Sequence, residues 1–348
     1  MASVLKQIAD RVGVSQATVA RILNGDVNYN RRFYRERADR IRAVAAELSY
    51  RPNAAARAIS TGRFDTICLL SGDRHGSGML SPAMSAGITV CAAKHEVMIS
   101  SARLPEEAFT DNSKLPIILR RIAADGLLIN YTHAVPEAME EVLAEQRLPV
   151  VWLNCKREHN CVHPDDRGAT RAVCERLVEL GHRRIAFFDP HQDFGLPRTK
   201  QQLHYSGGDR LAGYKACLKK HSLKPLVFYD NMGTNRGPAP RIAAASRMFT
   251  QAEAPTAVIC NNSPDAVTVA ALRAGKRVPE DCTLVSYTRF ITDSAGLPIA
   301  SLHVPDWKVG EQALDLVLDL VEHPDQVHPP RSIPIPLRYE EFLQPPQQ

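Results

Sequence analysis

The sequence predicts an all-α head over residues 1–50, then an α/β body of two lobes built on parallel sheets. Three observations predict it. The first fifty residues place apolar side chains at helical spacing, broken by turn and cap residues. From Thr66 onward, short β-branched or apolar runs alternate with helical stretches, the rhythm of βαβ units. Charge is also split along the 348 residues. Residues 1–63 contain 12 Lys and Arg against 5 Asp and Glu, a net of +7 within a chain whose total is +5, which leaves −2 for the rest. A basic segment on a slightly acidic remainder has the electrostatic footprint of a nucleic-acid module on a soluble partner domain.

In the head, Leu5, Ile8, Ala9 and Val12 fall at i, i+3, i+4 and i+7, one apolar face of a short helix. Gly13 supplies the positive φ that ends it. Ser15 caps the next helix by accepting an orphan amide N–H. Val19, Ile22 and Leu23 repeat the helical spacing, and Gly25 closes the segment. Two short helices joined by a tight turn form a helix-turn-helix, whose second helix enters the major groove of DNA. A third helix is expected from Arg31 to Ser49, with Ile41, Val44, Ala45 and Leu48 on one face. Pro52 suits the first turn of a fourth short helix, residues 53–59, which Ser60-Thr61-Gly62 ends. So short a helix is marginal alone and is expected to fold only when paired with its twin on DNA.

In the body, strands are expected at Thr66–Leu70, Val97–Ser100, Gly126–Asn130, Pro149–Leu153, Arg184–Phe188, Leu226–Tyr229, Thr256–Asn261 and Thr283–Tyr287. Helices are expected near 82–95, 114–124, 136–147, 168–180, 208–221, 239–252 and 264–275. Two clusters of such units imply two similar lobes.

The stretches Ile8-Ala9, Gly13-Val14-Ser15, Ala17-Thr18-Val19, Arg21-Ile22-Leu23-Asn24-Gly25 and Tyr50-Arg51-Pro52-Asn53-Ala54-Ala55-Ala56-Arg57 resemble the head and hinge of LacI-type bacterial transcriptional regulators. Asp166, Ala169-Thr170, the run from Leu177 to Ala186, Arg210-Leu211-Ala212-Gly213-Tyr214, the run from Pro255 to Asn262 and Arg277-Val278-Pro279-Glu280-Asp281 extend the resemblance over nearly the whole chain. It implies a periplasmic-binding-protein-like body: two lobes, three chain crossovers and a ligand in the cleft. The crossovers are expected near His163, Phe290 and Pro324. That gives a head at 1–50, a hinge and linker at 51–63, one lobe from 64–163 with 290–323, and a second from 164–289 with 324–343.

By resemblance, Gln16, Ala17 and Arg21 hold base-contact positions. Gln can bond adenine bidentately, Arg can bond guanine O6 and N7, and Ala can touch a thymine methyl. Ser15, Thr18 and Asn24 suit phosphate contacts, which fix register without reading sequence. The family's capping stretch after Asn24-Gly25 is replaced by Asp26 to Tyr34, where Arg31 and Arg32 are further candidates for phosphate. Ile59 aligns with the family's apolar wedge, beside Ala56 in the minor groove, where two copies in a dimer would kink the duplex. The implied partners are a palindromic double-stranded DNA operator, a second copy of the chain and a small carbohydrate-related effector. The implied role is a repressor in the cytoplasm, switched when the ligand changes the lobe angle and hence the hinge spacing.

For the effector, Arg210 is the leading cleft residue, since a guanidinium offers two donors to a carboxylate, phosphate or sugar hydroxyls. Asn154 and Asn262 follow expected strands, and strand C-terminal ends are where open α/β sheets bind ligands. Asp73 and His75, after the first strand, are further candidates. Two acidic positions of the family are absent: Asn262-Ser263 and Thr288-Arg289 stand in their places. Arg289 facing Arg210 would favour an anionic ligand. A regulator whose cleft has decayed and answers to a protein partner is the alternative.

Other classes find less support. No Gly-rich phosphate loop, nucleophile signature or His-Glu-x-x-His motif is present, so no enzyme is expected and no cofactor is required. Cys155, His159, Cys161 and His163 lie close in sequence, but their crowded spacing is unlike established zinc knuckles, and strand-exit loop residues account for them. The eight cysteines include no CxxC pair and suit a reducing compartment. No apolar run is long enough for a membrane span, and residues 1–30 lack a signal-peptide core. The Pro-rich tail has no leucine heptad, which argues against a coiled-coil tetramer.

Overall fold

The computed structural model describes residues 3–24, 32–51, 58, 61–72, 80–109, 111–120, 123–130, 135, 137–189, 204–229, 237–261, 263–288 and 293–347. The chain divides into two compact units: Met1–Thr66 with Ala123–Asp125, and Ile67–Ile122 with Gly126–Gln348.

In the first unit, α1 (Val4–Val12), α2 (Gln16–Leu23) and α3 (Arg32–Glu47) pack around Ile8, Ala9, Val19, Ile22, Ala38, Ile41 and Ala45. The expected Ser15 cap and Gly13 stop form, and Ser3 adds a cap at the start of α1. The Ser3 hydroxyl accepts from the Lys6 N–H at 3.3 Å, and the Ser15 hydroxyl accepts from the Thr18 N–H at 3.1 Å. Gly13, at φ +74°, gives its N–H to the Ala9 carbonyl at 2.9 Å. The expected hinge helix lies mostly outside the described residues; Ala58 is helical and buried, and its carbonyl accepts from the Gly62 N–H at 2.8 Å. Further along in the same unit, the Asp125 carboxylate accepts from the Phe64 N–H at 2.8 Å and the Thr66 N–H at 3.3 Å.

The second unit contains two six-stranded sheets. The first runs β13-β5-β4-β3-β1-β2. Its strands are β1 (Thr66–Gly72), β2 (Met98–Leu104), β3 (Gly126–Asn130), β4 (Val150–Leu153), β5 (Cys161–Pro164) and β13 (Arg331–Ile333). The second runs β14-β12-β9-β8-β6-β7. It consists of β6 (Ile185–Asp189), β7 (Leu226–Tyr229), β8 (Ala257–Cys260), β9 (Thr283–Thr288), β12 (Ala300–His303) and β14 (Leu337–Arg338). A hairpin, β10 (Asp293–Ser294) with β11 (Leu297–Pro298), precedes β12. The β1/β3, β3/β4, β4/β5, β5/β13, β6/β7, β6/β8, β8/β9 and β9/β12 pairs are parallel, and β12/β14 is antiparallel.

The helices of the body are α4 (Pro82–Lys94), the single turn α5 (Ile117–Arg120), α6 (Glu137–Gln146), α7 (Asp166–Glu179), α8 (Tyr205–Lys220), α9 (Pro238–Phe249), α10 (Pro264–Arg273) and α11 (Asp306–Glu322). The helix expected over 114–124 shrinks to α5 because Pro116 disfavours helical geometry in Leu115; the preceding residues form 3-10 turns at Glu106–Phe109 and Asn112–Lys114. No described helix is long and apolar enough to cross a membrane.

Both sheets are covered on two faces, so the central strands β1, β3, β6, β8 and β9 are buried almost throughout, while the edge strand β2 is partly exposed. In β6 the two-residue period sorts Ile185 and Phe187 toward α7 and α8, where Val173, Leu177, Tyr214 and Leu218 wait. Ala186 and Phe188 face α9 and α10 with Ala245, Met248, Val267 and Ala271. In the first lobe Leu69, Leu128, Val151 and Val162 pack on Ile88 of α4 and on Val309, Ala313, Leu316 and Val317 of α11.

The crossovers are a partial correction to the sequence reading. The chain first changes lobe between β5 and α7, beside the expected His163. It does not cross near Phe290: Ala300 to His303 pair with β9, so the chain stays in the second lobe until α11 begins at Asp306. Nor does it cross near Pro324, since Arg331 to Ile333 pair with β5 and the last change falls between Ile333 and Leu337. The reason is local. The β10–β11 hairpin turns the chain back onto the edge of its own sheet, and β12, β13 and β14 are too short to show a period.

Helices α7 and α8 cross at Gly213, where a Cβ would lie 2.3 Å from the Arg167 carbonyl oxygen. Replacing Gly213→Ala is therefore expected to force the helices apart and cost on the order of 1–3 kcal/mol. A urea denaturation midpoint reads this; an unchanged midpoint would show that the crossing has slack.

Candidate DNA-reading helix and interlobe cleft

Val19 and Ile22 of α2 are buried in the head core. Gln16, Ala17 and Arg21 lie on the opposite side, within an arc of about 140° at 100° per residue, and all three are exposed. The helix therefore presents an amide, a methyl and a guanidinium together while its other face is anchored. Ser15 and Thr18, at its N-terminus, are engaged with each other at 2.9 Å between hydroxyl oxygens. Unpaired amides at a helix start favour an anion there. Asn24 ends α2, its N–H bonded to the Ala20 carbonyl at 2.9 Å. Arg32 is the first residue of α3. Arg31, Ala56 and Ile59 lie outside the described residues.

In the second lobe, Arg210 sits in the second turn of α8 and is enclosed by three partners. Its Nε donates to Asp166 Oδ1 at 2.7 Å, and its Nη1 donates to Asn261 Oδ1 at 2.7 Å. The guanidinium carbon lies 3.6 Å from the centroid of the Tyr287 ring. The side chains of Arg210 and Asp166 are 14% and 1% exposed. Asp166 opens α7, where the helix dipole favours a carboxylate, and the preceding Asp165 caps that helix by accepting from the Gly168 N–H at 2.9 Å. Tyr287 is locked in turn: its hydroxyl donates to the Asp166 carbonyl at 3.0 Å and lies 2.7 Å from the Thr170 hydroxyl. Burial above all raises the Tyr287 pKa, so the phenol keeps its proton.

These groups cluster where strands end. Asn261 follows β8, Tyr287 is the penultimate residue of β9, and the buried Asp189 and Asn130 are the last residues of β6 and β3. The first lobe reaches the same region through the turn after β4. Asn154 adopts φ +53°, a left-handed geometry that Asn tolerates. Its carbonyl lies 3.3 Å from His204 Nε2. The other ring nitrogen of His204 caps α8, accepting from the Ser206 N–H at 3.2 Å, a division of roles that fits the Nε2–H tautomer. Lys156 pairs with Asp209 across the lobes and lies 5.3 Å from the centroid of the Tyr205 ring. The Tyr205 hydroxyl is buried without a hydrogen bond of good geometry. Burial, with the nearby Asp166 carboxylate adding to it, raises its pKa.

Of the expected effector residues, Arg210 and Asn154 are thus in this cluster, Asn154 through its backbone. Asn262, Arg289, Asp73 and His75 lie outside the described residues. Sequence reading missed Asp166, Asn261, Tyr287, Tyr205, His204, Lys156 and Asp209 as site residues. Asp166 and Asn261 had a signal, as a residue opening an expected helix and one ending an expected strand; the others did not. The Cys155, His159, Cys161 and His163 group does not converge: among the described residues no three of them bring ligand atoms together. The Cys161 thiol donates instead to the Arg157 carbonyl at 3.3 Å, and His163 Nδ1 lies 2.9 Å from the Pro164 carbonyl oxygen.

Because Asp166 is almost fully buried, Arg210→Ala strands a carboxylate and is expected to cost about 3–5 kcal/mol. The pair of changes Arg210→Met and Asp166→Leu should recover most of that loss. Chemical denaturation of the two variants makes the comparison; a double variant as unstable as the single one would show that the pair itself is not what holds the site.

The chain matches the bacterial regulatory proteins of the lacI family over residues 4–53 and the periplasmic binding protein-like domain over residues 174–339. It is 26% identical to the transcriptional regulator CelR of Thermobifida fusca over 91% of each chain. It is 25% identical to the repressor PurR of Pectobacterium atrosepticum over 93% of this chain and 94% of that one. Among solved structures it is similar to the Lac repressor dimer bound to operator and the anti-inducer ONPF, with a TM-score of 0.73, 21% identity and coverage of 97% and 98%. It is also similar to the CelR–cellobiose complex, with a TM-score of 0.58, 23% identity and coverage of 96% and 98%. A helix-turn-helix head ahead of a two-lobed parallel-sheet body, matched in sequence along nearly its whole length by transcriptional regulators rather than enzymes, places this chain in the LacI family.

Proposed function

We propose that the protein is a dimeric repressor that reads a palindromic operator with Gln16, Ala17 and Arg21 and is switched by a small sugar-related ligand held between its lobes. The observation that supports the DNA half is the exposed amide, methyl and guanidinium on α2, whose opposite face is locked in the head core. Ser15, Thr18, Asn24, Arg31 and Arg32 take phosphates in this reading, and Ala56 and Ile59 serve the minor groove. The relatives support the same assignment, the Lac repressor having been seen as a dimer on its operator.

For the ligand half, the support is the Arg210 cluster at the strand ends. Arg210 is already neutralised by Asp166, which removes the net positive charge that an anionic ligand would need from it. What the cluster offers is a carboxylate, an amide, a buried phenol and a flat aromatic face, groups that suit ring hydroxyls and their apolar faces. The related CelR structure contains cellobiose.

Arg21→Ala is expected to weaken operator binding by about 1–3 kcal/mol and to relax preference at one base pair. Arg32→Ala should weaken all sequences alike and flatten the salt dependence. Fluorescence anisotropy on a set of operator variants separates the two, and an Arg21→Ala protein that keeps every base preference would remove Arg21 from sequence reading. The ligand is tested by thermal shift of the full chain against sugars, sugar phosphates, sugar acids and nucleobases, with Arg210→Lys as control. A hit lost in the control that also changes operator affinity supports the switch. A blank panel overturns it and leaves a cleft answering to a protein partner.

A further inference from the structure

On the first lobe, far in sequence from the cleft residues of the second, α4 and α11 cross closely. A Cβ on Gly87 would meet the Trp307 carbonyl oxygen at 2.2 Å, and one on Gly310 would meet the Met84 carbonyl oxygen at 2.3 Å. Beyond this crossing, Cys91 of α4 and His95, which caps its C-terminus, stand at i and i+4, and α11 presents Glu311 and Asp315 at the same spacing. The Cys91 thiol donates to Asp315 Oδ1 at 3.1 Å, and His95 Nε2 lies 3.5 Å from the same oxygen. One ligand atom from each of Cys91, His95 and Asp315 lies within 4.8 Å of the others. We infer that Cys91, His95 and Asp315 form a site for a borderline-soft divalent transition metal of the Zn²⁺ type, tying α4 to α11.

The distances fit that chemistry. Zinc bonds of about 2.0–2.3 Å set tetrahedral donor–donor edges of roughly 3.4–3.6 Å. Two of the three edges already stand at 3.1 and 3.5 Å. The third closes by adjusting His95, whose side chain is half exposed. The donor set of thiolate, imidazole and carboxylate selects zinc, cobalt or copper over magnesium and calcium, which prefer oxygen alone. Water would fill the fourth position, and Glu311, one turn before Asp315 on α11, is outside the trio. It pairs instead with Lys94 at 3.5 Å. Before metal arrives, Cys91 is a neutral thiol, held up at about 12 by burial and by Asp315. On coordination its proton leaves to solvent and the thiolate lone pair forms the metal–sulfur bond.

The test uses the full chain, stripped with a chelator and titrated with Co²⁺ alone. One equivalent is expected to bring up a thiolate-to-cobalt charge-transfer band in the near ultraviolet and the visible bands of four-coordinate cobalt, both bleached by Zn²⁺. Cys91→Ser should abolish the charge-transfer band. His95→Ala, a surface change that leaves the fold intact, should weaken affinity by about tenfold or more and remove any Zn²⁺-dependent rise in Tm. Cys155→Ser should retain both signals. Absence of the band at one equivalent, its survival in Cys91→Ser, or full affinity in His95→Ala would each overturn the site. Any of these outcomes is independent of the ligand proposed for the interlobe cleft.

Discussion

Arg210 and Asp166 meet at 2.7 Å in a place where neither is well hydrated. Removing two such charges from water costs several kcal/mol for each, and their attraction offsets this only if the remaining donors and acceptors are also satisfied. The structure meets that condition closely. Asn261 accepts a second guanidinium hydrogen, Tyr287 covers the guanidinium face, and the α7 N-terminus favours the carboxylate. The pair therefore joins α7, α8, β8 and β9 at one point. It also fixes the first turns of α8, from which His204 and Asp209 reach the other lobe.

That arrangement sets a hierarchy of stiffness. Within the second lobe the contacts are buried and mutually dependent. Between lobes they are polar and partly wet: Lys156 and Asp209 are 41% and 22% exposed, and His204 meets a single backbone carbonyl of the first lobe. Exposed ion pairs contribute about 1 kcal/mol or less. A small ligand touching both lobes can compete with contacts of that size, whereas it could not rearrange the Arg210 cluster. Population shift by a small molecule needs this kind of soft boundary beside a rigid wall.

The parts legible in the sequence share a physical property: they were specified locally. Ser15 and Gly13 announce the turn of the head because capping and positive φ are decided within a few residues. The strands β3, β6 and β9 are legible because burial on both faces leaves continuous apolar runs. Members of the candidate cluster were legible only where a residue stood at the end of such a run or in a family motif, as Arg210 and Asn154 do. Tyr287 reads as a core residue in sequence, and its face becomes part of the site only because β8 and β9 pair in register. Lys156 with Asp209 is a surface charge pair until the fold brings separate lobes together. The short strands β12, β13 and β14 escape for the same reason, since two to four residues hold no period and only the pairing defines them.

The crossovers bear on how the first lobe would respond if the proposed ligand turned the lobes. Relative movement of the lobes turns about three chain crossings, one of which leads straight into α11 at Asp306. Helix α11 cannot slide freely, because Gly310 and Gly87 let its backbone touch that of α4 closely enough that even a methyl would collide. Its apolar face, from Val309 to Leu320, is also buried against the first sheet. A turn applied at Asp306 is therefore passed to α4 and the sheet together rather than absorbed by bending. A metal held by Cys91, His95 and Asp315 would lie one to two turns along the same crossing and would stiffen the element through which any lobe rotation has to pass.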